Sequence, residues 1–128
     1  MTWRGTQAAS RDRYCAKYDA AEADRYDSSV GRLEPEDEEA YLADLSGVFS
    51  FRAGMKVLDA GAGTGTVCLM LARLEGLSLT ALEPAPAMLA KLSSHPELSG
   101  VRAVEGFCPR SDRFRPYPLL NITLILGH

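Results

Sequence analysis

Three glycines at every second position, Gly61, Gly63 and Gly65, stand between a short apolar run and a helix-forming one. Residues 55–59 read as a buried strand, and the chain from Thr66 onward reads as a helix. A strand-to-helix turn of this kind lets the backbone approach a ligand closely, because no Cβ intervenes and positive φ is allowed. Glu83 closes the next apolar run, 18 residues past Gly65. An acid at that strand end is placed to accept hydrogen bonds from ribose hydroxyls. Turn and acid together imply a ligand that contains a nucleoside.

The same alternation continues along the chain. Strand one covers 55–60, and the helix from Thr66 to about Leu74 ends at Gly76, a natural C-cap. Strand two, 78–82, is stopped by Glu83-Pro84. Pro86 opens a helix carrying Met88, Leu89 and Leu92, which ends near His95-Pro96. Strand three covers 101–104, and the apolar run 119–126 reads as a fourth. This β-α-β order implies an α/β fold whose parallel sheet has helices on both faces and right-handed crossovers. The carboxyl ends of the strands then share one rim, where ligands bind.

Residues 1–50 read as a helical cap ahead of a domain formed by 51–128. Arg11 to Asp27 suggests one helix, with Tyr14, Cys15 and Tyr18 near one face and Tyr26 two turns on, broken by Gly31. Pro35 opens a second helix. The acids Glu36 to Glu39 crowd its N-terminus, where the helix dipole favours them, and read as a solvated first turn rather than a metal site. Tyr41, Leu42, Leu45, Val48 and Phe49 would form its buried face.

At 128 residues and 46% hydrophobic content the chain suits one globular domain. A net charge of −3, with acids outnumbering bases over residues 1–50, gives no nucleic-acid footprint. Cys15, Cys68 and Cys108 are odd in number and lack metal-ligand spacing, which points to a reducing compartment and no metal. Cys68 reads as a small buried residue. With no signal-like or membrane-length apolar run, the expected location is cytoplasmic. Asn121-Ile122-Thr123 formally matches a glycosylation acceptor but lies inside an apolar run. The arginines Arg110, Arg113 and Arg115, set among prolines, read as an exposed loop.

Spacing narrows the ligand. A dinucleotide turn wants Gly or Ala where Thr66 stands, and a P-loop wants Lys followed by Ser or Thr. The stretch V-L-D-A-G-A-G-T-G (57–65), followed by L-T-A-L-E-P-A-P-A-M-L (79–89), resembles motif I and the next strand of class I S-adenosylmethionine-dependent methyltransferases. The resemblance runs from about Phe51 to Gly106. It implies a Rossmann-like sheet in the order 3-2-1-4 and S-adenosylmethionine as cofactor. Asp59 would help hold the methionine end, and Gly61, Gly63 and Gly65 would give backbone clearance, with amides of the helix start facing the cofactor carboxylate. Glu83 would take the ribose hydroxyls, while Pro84 and Met88 would border the adenine.

The adenine end departs from the family pattern. Gly106 is followed by Phe107 where an acid is common, which leaves three readings: Phe107 stacks on the ring, Cys108 and its backbone take the contact, or Phe107 is buried in the core. Leu120-Asn121 replaces the Phe-Asp that often precedes the fourth strand. The family sheet continues past that strand, which implies a C-terminally short form of its seven-stranded sheet. Three readings follow: a methyltransferase acting on an acceptor that the sequence does not identify, active as an assembly; a non-catalytic module that binds the cofactor; or an interaction domain that has lost the ligand. No catalytic residue is assigned. His95 falls away from the rim and His128 at it. An apolar fourth strand without a neighbour on its far side suggests a homodimer through that edge.

Overall fold

The computed structural model describes residues 3–106 and 122–127. Three strands, β1 (Lys56–Ala60), β2 (Ser78–Glu83) and β3 (Arg102–Glu105), run parallel. β4 (Ile122–Gly127) lies beyond β1, so the sheet order is β3-β2-β1-β4. The β1–β2 register pairs Val57 with Leu79 and Asp59 with Ala81. Side chains alternate faces along a strand. Val57, Asp59, Leu79, Ala81 and Glu83 therefore share one face, and all are buried there. Leu58, Thr80 and Leu82 on the opposite face are only half-buried.

The buried face is covered by α4 (Thr66–Leu71) and α5 (Pro86–Ser93). Every α4 residue after Thr66 is buried. Such an all-round apolar helix is stable only inside a core. Cys68 and Leu69 of α4 meet Leu92 of α5 and Ala81 of β2 in one cluster. Val67, Met70 and Leu71 meet Val57 and Leu79 in another. Helices on both faces were expected, yet among the described residues these clusters lie on a single face.

Three helices precede the sheet: α1 (Trp3–Lys17), α2 (Ala20–Val30) and α3 (Pro35–Phe49). The single helix expected over 11–27 is two. Asp19 caps α2, its carboxylate accepting the Glu22 N–H at 2.9 Å, and the chain turns at Tyr18. An Asx cap offers the backbone an alternative to continuing the helix. In α3, Leu42 and Leu45 pack on the α4 cluster. Tyr41 and Val48 do not: they are 40% and 74% exposed, against expectation. α4, at about 1.5 Å per residue, is too short to cover more than part of a fifteen-residue stripe.

The fourth strand corrects the all-parallel expectation. β4 runs antiparallel to β1, with Ala60 opposite Ile122 and Lys56 opposite Gly127. A parallel strand needs a crossover back to the opposite rim, usually a helix, whereas an antiparallel one needs only passage along the same rim. The carboxyl end of β4 therefore lies at the rim opposite the glycine turn. His128, expected at the ligand rim, lies outside the described residues, as do Phe107, Cys108 and the Arg110–Arg115 segment.

Candidate functional site

The three glycines of the turn have φ of +74° (Gly61), +59° (Gly63) and +100° (Gly65). Side chains with a Cβ adopt this region only at a cost, so the alternating glycines follow from the backbone path. A Cβ on Gly65 would stand 2.8 Å from Leu98 Cδ1 and 3.1 Å from Leu92 Cγ. That glycine thus also lets α4 press against α5. The Gly61 and Ala62 amides donate to the Leu82 carbonyl at 2.8 and 3.0 Å, binding the turn to the end of β2.

Glu83, the last residue of β2, is fully buried. Its Oε1 accepts the Gly63 N–H at 3.0 Å and the Tyr14 hydroxyl at 3.2 Å, and its Oε2 accepts the Ala85 N–H at 2.7 Å. Burial pushes its pKa up, and the three donors, Ala85 foremost, oppose that shift. The carboxylate is therefore tied to the glycine turn on one side and to the N-cap of α5 on the other. The Gly63 amide thus points at Glu83.

Asp59, in β1 two residues before Gly61, is 1% exposed. Its Oδ2 accepts the Cys68 thiol at 3.3 Å. Burial pushes its pKa up to about 7; the thiol opposes the shift and the neighbouring Glu83 charge adds to it. Burial also raises the Cys68 thiol well above its ordinary value, with Asp59 reinforcing the effect. Asp59 Oδ1 and Thr64 Oγ1 are buried without a hydrogen-bond partner among the described residues. Such orphaned atoms are uncommon and call for a ligand, ion or water to complete them.

The remaining expected residues are distributed as follows. Pro84 is buried, and its carbonyl accepts the Cys15 thiol at 3.2 Å. Met88 is 2% exposed and clusters with Ala85, Tyr18 and Ala23. Its Cε lies 3.7 Å from where a Gly63 Cβ would stand, so it underlies the turn. Asp59, Gly61, Gly63, Gly65, Glu83, Pro84 and Met88 are thus brought together at one rim. His95 is drawn elsewhere, its Nε2 lying 3.0 Å from Asp27 Oδ1 where α2 docks beside α5.

Sequence reasoning missed Tyr14, Cys15, Thr64 and Cys68 as members of this rim. The i, i+4 spacing of Tyr14 and Tyr18 marks a face of α1 without saying what it meets. Only the fold brings Tyr14 to Glu83, 69 residues away. A separate surface cleft of ≈ 330 Å³ beside α4 is lined by Arg32, Glu38, Thr66, Arg73 and Glu97, among others. Its two arginines already pair, Arg32 with Glu97 and Arg73 with Glu38. Among the described residues no group of three His, Cys, Asp or Glu could hold a metal ion, and no helix is long and apolar enough to cross a membrane.

Solved structures resemble this fold. A provisionally assigned S-adenosyl-L-methionine-dependent methyltransferase from Methanococcus maripaludis superposes with a TM-score of 0.59 at 22% identity, over 70% of this chain and 42% of its own. A methyltransferase from Geobacter sulfurreducens, solved with S-adenosyl-L-homocysteine, matches more loosely, with a TM-score of 0.44 and 23% identity over 58% of this chain and 30% of its own. A TehB-like methyltransferase from Corynebacterium glutamicum has a TM-score of 0.44 at 22% identity over 77% and 46% of the two chains. No protein-family model matches the sequence, and no curated protein does. The chain has the fold of the class I S-adenosylmethionine-dependent methyltransferases and spans less than half the length of these structures.

Proposed function

We propose that the chain binds S-adenosylmethionine at the rim formed by the glycine turn and Glu83, as the cofactor half of a methyltransferase whose acceptor is unidentified. The observation that carries this reading is the pair of orphaned buried atoms, Asp59 Oδ1 and Thr64 Oγ1, beside a buried acid at the end of β2. A cationic amino group would complete Asp59, and a polar group nearby would complete Thr64. Glu83 would accept from the ribose diol, a charge-assisted arrangement stronger than a neutral one. Gly61, Gly63 and Gly65 would leave clearance for the ligand, and Pro84 and Met88 would border the adenine with Phe107. Bound there, S-adenosylmethionine would supply an electrophilic methyl group on its sulfonium. The chain's own contribution is to hold that ligand in a fixed orientation, which is the larger part of such catalysis.

Residues 1–50 act in this reading as a cap over a cofactor domain formed by 51–128. The one-sided pairing of β4 among the described residues supports self-association through that edge.

Calorimetric titration tests the cofactor. S-adenosylhomocysteine should bind and NAD should not, because Thr66 stands where a dinucleotide turn needs a third glycine. Glu83→Gln should weaken S-adenosylhomocysteine by about 1.5–3 kcal/mol if the charged hydrogen bonds form. Tight NAD binding without a response to S-adenosylhomocysteine would sink the reading.

A further inference from the structure

Glu83 is already satisfied without a ligand, and the identity of its partners decides how one could bind. A carboxylate offers about two acceptor sites on each oxygen. Both sites on Oε1 are taken, by the Gly63 amide and the Tyr14 hydroxyl. Oε2 holds the Ala85 amide and keeps one site. A ribose diol gripped by both oxygens needs one site on each. Oε1 must therefore release a partner.

Two of the three partners cannot leave cheaply. Gly63 belongs to a turn fixed by the Gly61 and Ala62 amides on the Leu82 carbonyl. Ala85 is the N-cap residue of α5, and its carbonyl holds the Leu89 amide at 3.0 Å. Moving either would break backbone hydrogen bonds inside the core. Tyr14 is a side chain on α1, held at the rim by side-chain packing against Tyr18, Ala23, Ala85 and Met88 and not by a backbone ladder. Its ring lies 4.7 Å from that of Tyr18, and the neighbouring Cys15 thiol donates to the Pro84 carbonyl. Burial, reinforced by the Glu83 charge, holds the Tyr14 phenol protonated, so it stays a donor.

We infer that α1 is an internal competitor at this site: the Tyr14 hydroxyl takes the place of a ribose hydroxyl on Glu83, and a nucleoside ligand must displace it. The inference rests on the proposed nucleoside site at Glu83 and adds its regulation. Whatever lifts α1, whether an acceptor or a partner domain, then raises cofactor affinity. The reason is that only the open fraction of the protein is competent to bind.

Titration of wild type and Tyr14→Phe with S-adenosylhomocysteine tests this, with folding checked by circular dichroism. The variant keeps the ring and its packing but loses the donor. Its dissociation constant should fall about tenfold, the order expected for one hydrogen bond to a charged group. An equal or weaker affinity in folded Tyr14→Phe overturns the competitor and leaves the cofactor site standing. No binding by either folded chain overturns both. A second measurement uses the wild type alone. Saturating S-adenosylhomocysteine should speed amide hydrogen exchange over 11–17 while slowing it over 61–67. Protection of both segments would instead make α1 a lid closed by the ligand and would overturn the competition.

Discussion

At the scale of single residues, Asp59 carries the clearest consequence. Its pKa stands at about 7 in the folded protein against an ordinary 3.8, chiefly through burial. The folded state therefore binds a proton more readily than the unfolded chain. Stability from this site is fully present below about pH 4 and is lost as pH rises toward 7. The span is on the order of 4 kcal/mol at most. Glu83, also raised by burial, acts in the same direction. Urea denaturation between pH 4 and 8 should show this decline in the wild type and a flatter profile in Asp59→Asn. A wild-type stability that climbs steadily from pH 4 to 7 would mean that Asp59 is charged and completed in the folded state. The sequence marked Asp59 and Glu83 as strand-end acids. It could not mark their burial, which depends on Cys68 and Tyr14 arriving from other elements.

At the scale of elements, two glycines with opposite duties separate local propensity from packing. Gly65 has φ +100°, and a Cβ there would meet Leu98 and Leu92. Gly65→Ala should destabilise by about 2–4 kcal/mol, combining left-handed strain with overpacking. Gly47 lies within α3 with nothing within 4 Å of its virtual Cβ. Gly47→Ala should stabilise by about 0.5–1 kcal/mol, because a helix-interior glycine retains too much freedom in the unfolded chain. Thermal or urea unfolding of the two variants gives both signs in one experiment. The β1, α4, β2, α5 and β3 sequence was legible because periodicity and breakers agree there, with Pro86 opening α5 and Glu83 closing β2. The α1–α2 break was not, because Asp19 reads equally well as a helix residue and as a cap.

At the scale of the whole molecule, β4 pairs on one side only among the described residues, with β1. Leu58, Thr80 and Leu82 leave one face of the sheet half-buried. A strand edge without a pairing partner among the described residues, beside a half-buried face, favours association with another chain. Light scattering over a range of concentrations should therefore report a species larger than the monomer. A monomer at every concentration would mean that both surfaces are covered within the chain.

The glycine turn, the acid at the end of β2 and the order of the central β-α-β units were determined by the sequence alone. Each is a local matter: backbone clearance needs glycine, and a short apolar run between breakers makes a strand. The direction of β4 was decided by tertiary structure, since strand propensity is the same whichever way the chain enters the sheet. The pairing of Glu83 with Tyr14 was decided there too. A hydrogen bond spanning 69 residues leaves no periodic trace in sequence. It forms because the Asp19 cap turns α2 away from α1, and because Tyr18, Ala23, Ala85 and Met88 bury one another at the rim.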